Sequence, residues 1–540
     1  EDDGDNNTAV GYQALTAQTG VSGHVANTAI GYQAGVTLLD GSDNTALGMQ
    51  ALASEDGGNR STALGTQALY SQTTSAPAHI NNVGVGVFAG YRNITGKNNT
   101  YVGANAGLGT AGGSVNNSSN TGIGSDALAA VTTGSNNVAI GANALDAETT
   151  GDENIAIGKN ALGVAASGEL SNVVIGNEAG NAINDAGADY NVIIGSGAGQ
   201  GGAGAMAQCV AIGLDAMNST AGNAQTGTVA IGSASLTALT SGAGNIAMGY
   251  LALDALTIGN YNIAIGNNAL GISVDGDYNI AIGDDSLAYF ESSDGAGDNT
   301  AIGFHAGQFC STGENNVFVG FRAGQGITGT RLTGNENTCV GRDAGIVLQG
   351  ASNSNVLVGS QAGNSITTGS TNTVIGCGAD VYSADSTLSI TMGYNTIGHG
   401  DGSYMTIGTA NSTDRWWIDF GTGTTWARES DERLKKNIED SSLGLDFVND
   451  LRAVKYQWKT GEEQSEDVRR YNKEGELQTP LKPELINYGM IAQEVKSALD
   501  TAEVDDFGGW TEDEDGIQAL SVGDFVIPLI KAIQELSAKV

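Results

Sequence analysis

Along most of the chain, apolar and polar positions recur in one short pattern built around a glycine. That Gly stands at 11, 31, 48, 65, 86, 103, 124, 141, 158, 176, 195, 213, 232, 249, 266, 283, 303, 320, 341, 359 and 376. It defines 21 units, ten of whose twenty spacings are 17 residues. Three positions before the Gly every copy has Thr, Val or Ile, and one position before it every copy has Ile, Val, Leu or Met. Two positions apart, these columns share one face of a β-strand, which β-branched residues favour. The column between them is Ala in 12 copies, with Tyr101, Phe318 and Leu357 among the exceptions. Both faces therefore read as apolar, which predicts a strand covered on both sides.

The positions flanking the strand are as regular. Asn stands four before the Gly in 18 copies, replaced by Ser61, Cys209 and Thr228. After the Gly come two variable positions, from Tyr12-Gln13 to Phe321-Arg322, which read as solvent. Ala follows in 19 copies, with Ser235 and Ser286 as exceptions, and then mostly Leu or Gly. Length changes fall in Gly/Asn/Asp/Ser stretches such as 109–119 and 294–298, which read as loops on one edge. Seventeen residues are too few for a helical hairpin repeat and suit one coil of a β-solenoid: strand, turn, short strand, loop. Stacked at about 4.8 Å per coil, the array would run roughly 100 Å, with its Asn residues forming an amide ladder. One coil cannot bury its Ile face, so stability is a sum over neighbouring coils.

The pattern Asn-[Thr/Ile/Val]-Ala-[Ile/Val]-Gly-x-x-Ala, seen as Asn154-Ile-Ala-Ile-Gly158 and Asn262-Ile-Ala-Ile-Gly266, resembles the YadA-like head of trimeric autotransporter adhesins. That resemblance covers about residues 5–380 and implies a left-handed parallel β-roll that trimerises. The second apolar face points independently to a homotrimer.

Composition narrows the function. Gly accounts for 82 of 540 residues, Pro for 4, and the net charge is −37. Residues 1–429 hold 9 basic and 35 acidic side chains (net −26), and residues 430–540 hold 13 and 24 (net −11). Such acidity repels phosphate backbones, so no nucleic-acid partner is expected. No run of about 18 apolar residues occurs, so no membrane insertion is expected. The chain opens at Glu1 inside a repeat, so an upstream tail-attachment region is expected to be missing. Cys209, Cys310, Cys339 and Cys377 lack disulfide or metal spacing and read as buried small hydrophobes. The four His are scattered, and no cofactor or metal is expected. Calcium at Asp275-Gly-Asp277 or Asp294-Gly-Ala-Gly-Asp298 would lack a full ligand set, so these read as solvated turns.

Past residue 380 the repeat dissolves. Strand-like stretches remain at Thr387–Met392, Met405–Thr409 and Trp416–Phe420, and Trp416, Trp417 and Trp426 crowd here while residues 1–415 hold no Trp. Residues 381–429 are expected to cap the open end of the 1–380 shaft. From Ser430 the composition turns to Lys, Glu and Leu at helical spacing. The run Ser430-Asp-Glu-Arg-Leu-Lys435-Lys-Asn-Ile438 resembles the start of the intramolecular chaperone auto-processing domain of phage tailspikes and tail fibres. The segments Gly444–Trp458, Tyr488–Val495 and Val526–Leu536 continue the match, which covers residues 430–540, with Glu462–Glu484 as a variable insertion.

That resemblance implies a Ser-Lys dyad, here Ser430 and Lys435, supported by Asp431 and Arg433, which cuts the chain at the Glu429–Ser430 or Ser430–Asp431 bond. The chemistry is reasonable, because a Ser hydroxyl needs a base and a desolvated Lys can serve. Read alone, the segment is a solvated charge run capped by Ser430; Lys436 competes as base, and the family spacing selects Lys435. The ending places Val526, Leu529, Ile533, Leu536 and Val540 in one heptad stripe, either a core helix within one subunit or a short trimeric coiled coil.

The whole reads as a mostly β protein: a parallel β-solenoid shaft of about 21 coils followed by a small α+β domain ending in a helix. The expected function is the structural, receptor-binding shaft of a trimeric tail fibre or spike on the virion tail, its partner a host surface glycan or protein. Its enzymatic activity would be single-turnover autoproteolysis. Alternatives are a polysaccharide-degrading spike or a bacterial surface adhesin. Asp284-Asp285 is an acid pair, but glycoside hydrolysis needs two carboxylates across a groove.

Overall fold

The computed structural model describes the chain except residues 1–3, 19–22, 75–77, 111–114, 166–167, 186, 202–205, 220–224, 292–296, 411–414, 421–431, 433–434, 467–468, 470–476, 478–482 and 514–515. It divides into two compact units, residues 1–429 and 430–540.

The first unit is a β-solenoid. Its strands pair parallel and in register from Thr8–Val10 onward, so that Ile263, Ala264 and Ile265 face Ile280, Ala281 and Ile282 of the next coil. The ladder continues past the last repeat Gly: Ile390–Gly393 and then Tyr404–Gly408 add to it in parallel, and Arg415–Asp419 closes it antiparallel. Stacked coils pair in parallel, so the antiparallel partner marks the end of that pattern.

The two faces of each strand are unequal, which corrects the expectation of a strand buried on both sides. The Ala column is the interior one: Ala139, Ala156, Ala211, Ala264 and Ala281 are wholly buried. The flanking Ile/Val columns face outward and are only half-buried, as in Ile263 and Ile265, or exposed, as in Ile30, Met248 and Ile302. Pleating accounts for this, since alternate residues must point to opposite faces. Inside the roll this position shares its space with the residue four after the Gly: an inward Ala leaves room for Leu there, whereas Ile193, also wholly buried, is matched by Gly199.

The rest of the interior comes from the turn after the Gly. Ala144, Leu145, Ala161 and Leu162 are fully buried. Where a short second strand was expected, the chain turns through left-handed residues, such as Asn160 (φ 55°) and Leu162 (φ 52°). Two-residue second strands form only in places, for example Gly58–Asn59 with Ala78–His79 and Met206–Ala207 with Gln225–Thr226. Backbone bonds nonetheless join the coils at the corners: Gly266 N donates to Met248 O (2.8 Å) and Asn268 N to Tyr250 O (2.9 Å).

The Asn column forms the expected ladder. Asn137 N donates to Asn120 Oδ1 (2.9 Å) and Asn154 N to Asn137 Oδ1 (2.9 Å), while Asn137 Nδ2 donates to Gly151 O (2.8 Å). These side chains are wholly buried, and each satisfies backbone groups of two coils that would otherwise lack partners. Cys209, Cys310 and Cys339 are buried as expected, but Cys377 is exposed because it occupies the outward position just after Gly376.

The second unit is small and mixed. Helix α1 (Leu445–Asp450), α2 (Ala492–Thr501) and α3 (Val526–Lys539) accompany two antiparallel strand pairs, Val454–Tyr456 with Asn487–Gly489 and Trp510–Glu512 with Gln518–Leu520. Leu443, Phe447, Val495, Ala498, Leu499 and Phe525 form its core, and Phe507 meets Phe525 edge-on at 5.1 Å between ring centroids.

Candidate functional site

The residues expected to carry chemistry lie at the start of the second unit. Glu429, Ser430, Asp431 and Arg433 are outside the described residues, as are Trp426 and most of the 462–484 insertion. Lys435 and Lys436 are described and exposed, with Lys435 N donating to Glu432 O at 3.0 Å. The segment that follows is tied to the last helix. Lys531 Nζ lies 3.6 Å from Asp440 Oδ2, and Leu445 N at the start of α1 donates to Glu535 Oε2 at 2.7 Å. An acidic group suits the positive end of a helix, so Glu535 docks α1 onto α3. Arg452 Nε donates to Glu494 Oε2 at 2.9 Å, which raises the guanidinium pKa and lowers that of the carboxylate.

Helix α3 buries Pro528 and Ala532, whereas Val526, Leu529, Ile533 and Leu536 stay about half exposed or more, and Val540 is fully exposed. The heptad stripe is thus not the face that packs within the domain. A groove nearby is lined by Tyr456, Trp458, Tyr488, Met490, Ile491 and Leu520, among which Trp458 and Tyr488 are exposed.

Residues 430–504 match the Peptidase_S74 family model, chaperone of endosialidase. Those residues are a chaperone-of-endosialidase domain. A long β-solenoid shaft followed by this domain is consistent with a phage tail fibre or tailspike carrying its chaperone at the C-terminus. No curated protein matches the chain. No described helix is long and apolar enough to cross a membrane.

The shaft holds one cluster that sequence reasoning missed. Asp284, Asp285 and His305 are each half-buried, and a ligand-type atom from each lies within 4.8 Å of the others. Among the described residues no other group of three or more His, Cys, Asp or Glu meets that distance. The residues stand 20 apart along the chain, but Asp285 and His305 both sit two positions after a repeat Gly. Aligning that variable column by coil instead of by sequence distance would have found them. In the other acidic turn that is described, Asp277 Oδ1 accepts from Asn260 N at 2.6 Å, while Asp275 Oδ1 is buried without a hydrogen-bond partner. Asp294 lies outside the described residues.

Proposed function

We propose that this chain is the shaft of a homotrimeric phage tail fibre or spike in the virion. Its C-terminal domain aligns three chains and is then cut off at Ser430, with Lys435 as base and Asp431 and Arg433 in support. The observation that carries this reading is the apolar surface left over in a single chain. Ile30, Leu47, Leu64, Ile123, Met248, Ile302, Val358 and Ile375 all lie in the column just before the repeat Gly, and all are exposed. Tyr12, Tyr32, Met49, Leu214, Tyr250, Phe304 and Phe321 add an exposed row just after it. A continuous apolar stripe on this scale calls for a partner surface of the same length, which other copies of the chain supply.

The exposed stripe of α3 supports the same stoichiometry at the other end of the chain. Register is the physical need for such a domain. Near-identical coils pair one unit out of step at little cost, because every offset buries the same columns. Cleavage after assembly makes the aligned state kinetically irreversible. The shaft then presents its outer surface to a host glycan or protein. Intact and native mass of the expressed chain tests this: parent protein should give a trimer of shortened chains plus a fragment of about 110 residues (the length from Ser430 to Val540), and Ser430→Ala a trimer of full-length chains. A monomer at micromolar concentration would refute the assembly.

A further inference from the structure

We infer that the coils of Gly283 and Gly303 hold a divalent transition-metal ion between Asp284, Asp285 and His305. The backbone sets this up, since His305 N donates to Asp284 O at 2.9 Å and fixes the two coils against each other. Asp285 and His305 occupy the same left-handed corner of successive coils, with φ of 52° and 55°, so their side chains leave the roll in the same direction. His305 Nε2 lies 3.4 Å from Asp285 Oδ2. Phe304 stacks on the imidazole at 3.7 Å between centroids, holding the ring plane.

The surroundings explain how the site is kept when no ion is bound. Asn267 Nδ2 donates to Asp284 Oδ1 (2.8 Å), Asn268 Nδ2 to Asp285 Oδ1 (2.7 Å), and Gln308 Nε2 to Asp285 Oδ2 (3.1 Å). These amides are neutral donors, so two adjacent carboxylates are left facing one imidazole in a shaft that is already strongly acidic. Gln325 Nε2 lies 2.9 Å from Gln308 Oε1 and 3.3 Å from His305 Nδ1.

Turning both amides over converts this network into a ligand set without moving a heavy atom far, because amide oxygen and nitrogen are nearly isosteric. Gln308, only 7% exposed, then points Oε1 at the ion as a fourth ligand. Gln325 Oε1 accepts from both Gln308 Nε2 and His305 Nδ1–H. That hydrogen bond keeps the proton on Nδ1 and the lone pair on Nε2, the arrangement metal-bound histidines use. One imidazole nitrogen with carboxylate and amide oxygens suits zinc or manganese and gives calcium no advantage from the nitrogen. The ion would clamp the 20-residue coil to its neighbour.

Calorimetric titration of ZnCl2 and MnCl2 into the chelator-treated full chain, with excess magnesium to occupy unspecific carboxylates, tests the site. One ion per chain should bind, and His305→Ala and Gln308→Leu should each weaken binding at least tenfold. Circular dichroism of the ion-free variants should match the parent, and cobalt loading should give visible absorption bands that change in His305→Ala. If His305→Ala misfolds, His305→Gln with the cobalt spectrum carries the same comparison. No binding above the magnesium background, parent-like affinity in the His305 and Gln308 variants, or calcium binding as tightly as zinc would each overturn the assignment.

Discussion

Gly266 lies so close to Gly283 of the next coil that a β-carbon on it would meet the Gly283 carbonyl oxygen at 2.3 Å. Its φ of +142° is also one that L-residues rarely adopt. Strain and clash therefore act together, and the neighbouring backbone cannot yield without breaking the ladder. Gly266→Ala should cost about 3 kcal/mol or more, read as a lowered midpoint in denaturant unfolding. A variant as stable as the parent would mean that the glycines are not packing backbone to backbone.

The interior makes a second, compensating demand. Where the strand's inward position is Ala, the position four after the Gly is usually Leu, as with Ala264 and Leu270, both buried. Where the inward residue is large, the nearby positions are Gly: a β-carbon on Gly107 would meet Tyr101 at 2.4 Å, and one on Gly324 would meet Phe318 at 2.1 Å. The two columns exchange volume. Ala264→Leu alone should destabilise by about 1–3 kcal/mol through overpacking. Adding Leu270→Gly should recover part of that loss, and a double mutant that is merely the sum of two losses would refute the exchange.

Much of this was legible in the sequence because a solenoid repeats its cross-section, and each column is sampled 21 times. The Gly column is invariant, and the Asn column and the Ala column after the Gly keep one residue type in 18 and 19 of 21 copies, each under a single steric or hydrogen-bonding demand. What the columns could not give was direction. Ile in two columns and Ala in one read as two apolar faces, and the pattern alone does not say that Ala264 points inward and Ile265 outward. The Asp284–Asp285–His305 cluster was illegible for a different reason, since it sits in variable columns and three extra residues in the intervening coil hide its alignment. In the C-terminal domain the motif around Ser430 carried the family, while the docking of α1 by Glu535, 90 residues away from Leu445, left no local signal.

The outward position of Ile265 changes what its substitution should do. A charge there is not sealed inside the roll, so Ile265→Asp should leave the circular dichroism of the shaft intact. Its cost falls on the contact between chains, and light scattering should show a shift from trimer toward monomer. Ala142→Ser, at the exposed variable position just after Gly141, should change neither measurement by much. Loss of β-structure in Ile265→Asp would return that column to the core.

The cysteines separate inside from outside chemically. Burial pushes the Cys310 thiol up to about 12 and raises Cys209 and Cys339 as well, so all three stay protonated and shielded at pH 8. Cys377 is exposed. A thiol reagent should therefore modify one of four cysteines in native protein and all four after denaturation. Rapid labelling of more than one would show that the solenoid opens locally.

Processing at Ser430 is the prediction with the most chemistry in it. Attack of the Ser430 hydroxyl on the preceding Glu429 carbonyl passes through a five-membered ring, which favours the Glu429–Ser430 bond. Cutting Ser430–Asp431 needs another geometry, such as one completed by a neighbouring chain. Either route requires a base within reach of the Ser430 hydroxyl. Lys435 and Lys436 are both exposed in the single chain, so the base must be desolvated by assembly, and denatured chain should stay intact. Lys435→Ala should give a full-length trimer, and Lys436→Ala should cut at close to the parent rate. The reverse pattern would move the base to Lys436. Processing of Ser430→Ala at the parent rate would leave the domain as a trimeriser without a protease.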